Sequence, residues 1–345
     1  MKIVLTGGGT LGSVTPLLAW WQHLAELDPK IQVAFLGTIA GPERELINYY
    51  HLPYKGILAG KWRRYFSLLN LTAPLETIAG FFQAYFFFRK FKADVALGAG
   101  GFVSLPVMLA AKLNGVKVII HQLDIRPTFT NKILSIIADR ITVTFPESLD
   151  DFPRFKTRLI GSLVRQEARN AKRNHQKGEH VRLVVIGGGT GALRLNQLFV
   201  EAKKYLPAEW EIFHLVGRGK TVEGESNNYH PKELEFTSHY ELLAAADLVI
   251  SRAGLATLLE LSFLAKPSII IPLPISQQED NAKYFYDRDA VVYLAETELD
   301  GFMLANKIKE LISDKERLSL LSKKIASVVE PVNSDTAISV LKEIL

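Results

Sequence analysis

The sequence contains no cysteine among its 345 residues. That absence excludes disulfide bridges, thiolate nucleophiles and Cys-ligated zinc or iron–sulfur centres, and it fits a reducing compartment. An export signal is lacking too. Met1–Thr6 runs straight into glycines, without the apolar core and small-residue cleavage site such a signal needs. The expectation is a protein of the cytoplasmic side. No compositional extreme is present either: 48% hydrophobic and 22% charged residues, with 24 Gly and 15 Pro, exclude collagen-like and wholly disordered chains. At roughly 100–200 residues per domain the length asks for two domains, each able to bury its own core.

What is present is unevenly distributed. The net charge of +5 divides into 18 Lys and Arg against 11 Asp and Glu in residues 1–160, and 23 against 25 in residues 161–345. A basic first half beside a mildly acidic second half calls for an anionic partner on the first half alone, either nucleic acid or an anionic membrane surface.

The two halves open alike. Lys2–Thr6 (KIVLT) leads into Gly7-Gly8-Gly9-Thr10-Leu11-Gly12 and then the apolar-rich Pro16–Leu27. Arg182–Ile186 (RLVVI) leads into Gly187-Gly188-Gly189-Thr190-Gly191-Ala192 and then Leu193–Tyr205. Each reads as buried strand, glycine turn, helix, the first βα unit of a doubly wound sheet. Further buried strands are expected at Gln32–Leu36, Val95–Leu97, Val116–Ile120 and Arg140–Thr144. In the second half they fall at Glu211–Leu215, Asp247–Ser251, Ser268–Pro272 and Ala290–Leu294. Short Val/Ile/Leu runs alternating with helical stretches imply parallel sheets covered on both faces. The predicted fold is α/β, with two Rossmann-like domains, 1–160 and 161–330, facing across a cleft. Polar Arg165–His180 reads as a linker, and a terminal helix within 331–345, capped by Ser334 or Asp335, packs back on the first domain.

Both glycine turns fit a dinucleotide fingerprint, but that fingerprint also needs a carboxylate at the tip of the next strand. The next strands end Leu36-Gly37-Thr38 and Val216-Gly217-Arg218, with no carboxylate at either tip, which argues against a nicotinamide cofactor. The more specific stretch is Ser251–Ala282. A strand ends at Ser251, Arg252-Ala253-Gly254 turns, and a helix beginning near Leu255–Thr257 aims its N–H groups at a diphosphate. Glu260 on that helix suits ribose hydroxyls, and the amides of Gln277 and Gln278 suit sugar hydroxyls. Asp287-Arg288-Asp289 superficially matches a metal-binding Asp-x-Asp pattern without any supporting feature.

The segment Trp62–Lys92 is rich in Phe and Tyr, with Lys61, Arg63 and Arg64 at one end and Arg89, Lys90 and Lys92 at the other. Asn70, Pro74, Glu76 and Gln83 interrupt it, so an interfacial helix on anionic lipid is expected rather than a membrane span. About half of the Phe side chains are assigned to core. No single-strand-binding or helix-turn-helix motif accompanies the aromatics, which argues against nucleic acid.

Taken in order, Gly7–Thr10, Gly98–Pro106, Thr130–Lys132, Gly161–Arg165, Gly187–Ala192 and Arg252–Ala282 resemble the MurG family of peptidoglycan glycosyltransferases over nearly the whole chain. The resemblance implies a GT-B fold and an inverting, metal-independent hexosyltransferase. The donor would be UDP-N-acetylglucosamine and the acceptor a polyprenyl-linked undecaprenyl-pyrophosphoryl-muramoyl-pentapeptide. The enzyme would sit peripherally on the cytoplasmic face of the membrane and serve cell-wall biogenesis, cell shape and division. It places donor contacts at Thr10, Leu11, Gly12, Asp124, Arg165, Gly189, Thr190 and Phe236. More follow along Leu255, Ala256, Thr257, Leu258, Leu259 and Glu260, and at Gln277 and Gln278. Thr10, Phe102 and Asn131 fall on the acceptor side.

Three departures bear on catalysis. Leu11 stands where the family has glycine, and Ser13 where it has histidine. His121-Gln122-Leu123-Asp124 replaces a His-Glu-Gln-Asn segment. A serine hydroxyl cannot by itself deprotonate an acceptor. The catalytic positions are therefore Ser13 and Asp124, with Asp124 offered as the base and His121 as a buried, hydrogen-bonded residue. Two other readings stay open at this level. One is a same-fold enzyme using another lipid acceptor, or a UDP-N-acetylglucosamine epimerase. The other is a non-catalytic nucleotide-sugar-binding or membrane-scaffold protein.

Overall fold

The computed structural model describes residues 1–61, 69–171, 180–188, 191–217, 219–222 and 226–345. The chain forms two compact units, Met1–Arg165 with Pro331–Leu345, and Gln166–Glu330.

The first unit is built on seven parallel strands: β1 (Lys2–Thr6), β2 (Gln32–Thr38), β3 (Tyr54–Ile57), β4 (Val95–Gly98), β5 (Lys117–Gln122), β6 (Arg140–Val143) and β7 (Thr157–Leu159). Their order is β3-β2-β1-β4-β5-β6-β7, so the chain runs outward from β1 in one direction and then reverses. Helices α1 (Thr15–Leu27), α2 (Glu43–Tyr49), α3 (Leu69–Phe91), α4 (Ser104–Leu113) and α5 (Phe129–Leu134) connect them. The central strands are buried on both faces, and Val4, Ala96, Val118 and Ile120 share one core with Val107 and Met108 of α4. Such double burial is what near-continuous Val/Ile/Leu runs require.

The second unit repeats the plan with six parallel strands: β8 (Arg182–Ile186), β9 (Glu211–Leu215), β10 (Tyr229–Lys232), β11 (Leu248–Ser251), β12 (Ser268–Ile270) and β13 (Val292–Tyr293), in the order β10-β9-β8-β11-β12-β13. Its helices are α6 (Gln166–Asn170), α7 (Leu193–Ala202), α8 (His239–Ala245), α9 (Leu255–Phe263), α10 (Gln277–Tyr286), α11 (Gly301–Ser313) and α12 (Lys315–Ala326). The expected fold class, two Rossmann-like parallel sheets, is the one found.

Two local expectations change. The polar segment read as a linker is helical over α6, where Ala168 is fully buried, and residues 172–179 lie outside the described residues. The terminal helix α13 (Ser334–Lys342) is capped by Asn333, whose side chain accepts from the Thr336 amide, rather than by Ser334 or Asp335. Ser334 faces α1 instead, with its Oγ 2.9 Å from His23 Nδ1 and 2.8 Å from Glu26 Oε2. At the other end of α13, Glu343 pairs with Arg140 at 2.9 Å and Arg158 at 3.1 Å, and those guanidinium groups hold its carboxyl below the usual range.

Helix α3 carries apolar residues all round. Ala73, Ala84 and Phe88 are buried, whereas Leu71, Leu75, Ile78, Phe82 and Phe86 are exposed by 52–75% and recur every three or four residues along one face. Among the described residues no helix is long and apolar enough to cross a membrane. The residues 62–68 that begin the aromatic segment lie outside the described residues.

Candidate active site

Ligands of open parallel sheets bind beyond the carboxyl ends of the strands, where the order reverses. In the first unit that point lies between β1 and β4, and each strand there ends in a glycine turn. The turn after β1 is closed by its own side chains: Ser13 Oγ accepts from the Gly8 amide at 3.1 Å and donates to the Thr10 carbonyl at 3.4 Å. The turn after β4 presses against it, with Gly101 (φ +84) so near Gly8 that a Cβ would meet the Gly8 oxygen at 2.7 Å. Half-buried Phe102 lays its ring on Gly9. Thr10 and Gly12 are exposed, and Leu11 is half-buried.

A carboxylate that sequence reasoning missed lies beneath this turn. Glu43, at the start of α2, folds back to the tip of β2 and is fully buried. Its Oε2 accepts from the Gly9 amide at 3.2 Å, and its Oε1 accepts from the Thr38 amide at 2.7 Å and from the Thr38 hydroxyl. The tip of β2 therefore does hold a carboxylate, contrary to the reading of Leu36-Gly37-Thr38 alone. Its oxygens are engaged by the protein, so the ribose-binding role of a dinucleotide site is still not available to it. Tyr54 donates to the Thr38 carbonyl beside it, and burial, helped by the Glu43 charge, raises the phenol's pKa. The signal that identifies Glu43 is its position one short turn after a strand tip, on the first residue of a helix.

Beyond β5, the segment that departs from the family pattern forms a braced corner. Gln122 is buried, and its Nε2 donates to the carbonyls of Asp124 at 2.7 Å and Arg126 at 2.9 Å. Asn131 of α5, only 1% exposed, donates to the His121 carbonyl at 3.1 Å and to Gln122 Oε1 at 2.8 Å. Asn131 thus rivets α5 to β5, and Asp124 stands half-buried on the corner they support. His121 is fully buried, with Nδ1 3.0 Å from the Thr142 hydroxyl, and burial lowers its pKa to about 3. An imidazole held neutral inside the sheet is a structural group. Arg165 is also buried, at the end of the first unit.

In the second unit the reversal lies between β8 and β11. Gly188 (φ +82) and Gly191 (φ +68) turn the chain after β8, while Gly189 and Thr190 lie outside the described residues. Helix α9 follows β11 with Gly254 as its cap and no side-chain cap bond, so the first-turn amides of Leu255, Ala256 and Thr257 are left to a ligand or water. Leu255, Leu258 and Leu259 turn their side chains into the core, and Ala256 and Thr257 are half-buried. Glu260 is 6% exposed, and its Oε1 accepts from the buried Tyr240 hydroxyl at 2.5 Å, which aligns the carboxylate. Half-buried Phe236 precedes α8, the helix that carries Tyr240.

Arg252 is a staple rather than a phosphate ligand. Its buried guanidinium donates to the carbonyls of Ile271 and Pro272 at 3.0 and 3.1 Å and pairs with Glu296, binding the ends of β11 and β12 together. Asn281 Nδ2 donates to the Ala253 carbonyl at 3.3 Å, bringing α10 to the start of α9. Gln277 is exposed at the first position of α10. Gln278 is half-buried, and its Oε1 accepts from the Leu273 amide at 3.1 Å, closing the loop before the helix. Asp287 and Asp289 lie exposed at the end of α10, and among the described residues no three His, Asp or Glu side chains cluster as metal ligands would.

Two Rossmann-like domains, each with a glycine turn at the reversal of its sheet, and an uncapped helix N-terminus beside a buried carboxylate in the second define the GT-B class of nucleotide-sugar glycosyltransferases. Models of the glycosyltransferase family 28 N-terminal and C-terminal domains match residues 3–143 and 182–334. The UDP-N-acetylglucosamine–N-acetylmuramyl-(pentapeptide) pyrophosphoryl-undecaprenol N-acetylglucosamine transferase of Clostridium kluyveri is 37% identical over 342 residues, 95% of this chain and 96% of that protein. The crystal structure of Acinetobacter baumannii MurG aligns with a TM-score of 0.74 at 25% identity, covering 99% of both chains. The calicheamicin glycosyltransferase CalG4 shares the fold at a TM-score of 0.70 and 12% identity, over 100% of this chain and 98% of that one. The chain belongs to the MurG family of N-acetylglucosamine transferases.

Proposed function

We propose that this enzyme transfers N-acetylglucosamine from UDP-N-acetylglucosamine to undecaprenyl-pyrophosphoryl-muramoyl-pentapeptide, the conversion of lipid I to lipid II in peptidoglycan synthesis. The observation that carries the reading is the near-complete match to a transferase of that name, and the uncapped N-terminus of α9 with the buried Glu260 on the same helix supports it. The nucleotide diphosphate is assigned to the α9 amides, the ribose to Glu260 and the sugar to Gln277 and Gln278. The acceptor hydroxyl attacks the anomeric carbon as the bond to UDP breaks, and the departing diphosphate's charge is met by the positive end of α9. No metal is assigned a role in this reading.

The attacking hydroxyl must lose its proton. The Ser13 hydroxyl is engaged within its own turn and His121 is buried and neutral. Asp124 is the group we assign as base. The outward apolar face of α3, followed by Arg89 and Lys90 near its end, is the surface assigned to the membrane that carries the acceptor.

Labelled UDP-N-acetylglucosamine and the muramoyl lipid test both assignments together. The enzyme transfers label to lipid, and Asp124→Asn lowers kcat by about a hundredfold or more. Undiminished turnover by the variant removes Asp124 from the mechanism. Donor turnover without transfer points to a same-fold enzyme of another reaction.

A further inference from the structure

Glu43 is a fully buried carboxylate that no cation pairs with among the described residues. Burying an ion is costly unless hydrogen bonds satisfy it, and here they come from two separate places: the Gly9 amide of the first glycine turn, and the Thr38 amide and hydroxyl at the tip of β2. Room for the carboxylate depends on two glycines. A Cβ on Gly8 would lie 2.3 Å from Oε1, and one on Gly41 2.2 Å from Oε2. Residues 8, 9, 38, 41 and 43 are thus shaped around one side chain. With Ser13 Oγ holding the Gly8 amide, both inner N–H groups of the turn are consumed. The next residue, Thr10, is exposed, and its amide has no partner among the described residues.

We propose that Glu43 is the positioning residue of the acceptor end. Its carboxylate, fixed by Thr38, locks the Gly8–Gly9 peptide and thereby sets where the outward part of the turn, from Thr10 onward, meets the acceptor. This rests on the acceptor reading of the first domain. An anion suits the role better than an amide because three N–H and O–H groups converge on it, and an amide offers one of them a donor instead of an acceptor. Glu43→Gln keeps the size of the side chain and the Thr38 arm while setting an NH2 group against the Gly9 amide. A side chain that merely fills space would tolerate that change.

The test combines steady-state kinetics of Glu43→Gln, using UDP-N-acetylglucosamine and the undecaprenyl-linked muramoyl-pentapeptide, with amide exchange at Gly8, Gly9 and Gly12. In the unsubstituted enzyme the Gly8 and Gly9 amides exchange at least about tenfold more slowly than that of Gly12. In Glu43→Gln the Gly9 amide loses that protection. The KM for the lipid rises about tenfold or more, while the KM for the donor, which the resemblance also brings to Thr10, Leu11 and Gly12 but which the second domain chiefly holds, rises less. An unchanged lipid KM, or equal increases in both KM values, overturns the proposal. So do equal exchange rates at Gly9 and Gly12 in the unsubstituted enzyme, a result that needs neither turnover nor a folded variant. Failure of the unsubstituted enzyme to use this lipid counts against the acceptor reading, and the exchange rates then judge the lock by themselves.

Discussion

Single residues in this protein act mainly through what burial does to them. His121 on β5 and His214 on β9 are both fully buried, one in each domain. His214 lies 2.8 Å from the Tyr229 hydroxyl and 3.2 Å from Asn196 Oδ1, and burial, with the Lys203 charge, lowers its pKa to about 4. Above the unfolded value near 6.5 both imidazoles are neutral folded or unfolded, and neither makes stability depend on pH. Below it the unfolded chain takes up protons that the folded chain refuses until about pH 3 at His121 and about pH 4 at His214. Stability is therefore lost as pH falls from 6.5, each group adding a slope of up to about 1.4 kcal/mol per pH unit. Urea unfolding at pH 7, 6, 5 and 4.5 shows this decline. A His214→Gln variant declines less steeply, whatever its stability at pH 7.

At the scale of elements, legibility followed position in the sheet. The inner strands β1, β8 and β9 carry their expected bounds, because burial on both faces forces a continuous apolar run. The three strands that went unread, β3 (YKGI), β7 (TRL) and β10 (YHPK), are all edge strands. They need only one partner and one covered face, so polar residues, and in β10 a proline, are tolerated. Helix α3 makes a similar point about small residues. Gly80 lies where a Cβ would be 1.7 Å from the Leu58 carbonyl oxygen, and Gln83 Oε1 accepts the Leu58 amide at 2.9 Å. The segment after β3 therefore lies directly on the helix backbone. Gly80→Ala raises helix propensity by about 1 kcal/mol, yet it must displace that segment at a cost of about 1–3 kcal/mol or more. Its thermal midpoint is expected to fall, and a midpoint at or above that of the parent would show that the segment moves freely.

For the whole molecule, the charge asymmetry and the outward stripe of α3 lie in the same domain. Leu71, Leu75, Ile78, Phe82 and Phe86 form an apolar row that water would otherwise cover, and the domain's excess of Lys and Arg favours an anionic surface. Replacing Leu75 and Phe82 by Glu removes two buried contacts worth about 1.5–3 kcal/mol each when fully inserted. Sedimentation with phosphatidylglycerol-containing vesicles should then weaken at least about tenfold, with thermal stability unchanged because both side chains already face solvent. Equal vesicle binding by the double variant would remove α3 from the proposed membrane surface.

The sequence by itself determined the two parallel sheets, their glycine turns, the uncapped helix at Leu255 and the family, because these features are written in runs of adjacent residues. Only the tertiary structure decided the uses of single polar side chains. Arg252 became a staple between β11 and β12, Asn131 a rivet between α5 and β5, and Ser13 a clasp within its own turn. Glu43 became the carboxylate under the glycines although the strand tip in sequence shows none. Periodicity reports which face of an element is buried. The partner of a buried polar atom is set by chain segments that meet only on folding, and no local pattern encodes it.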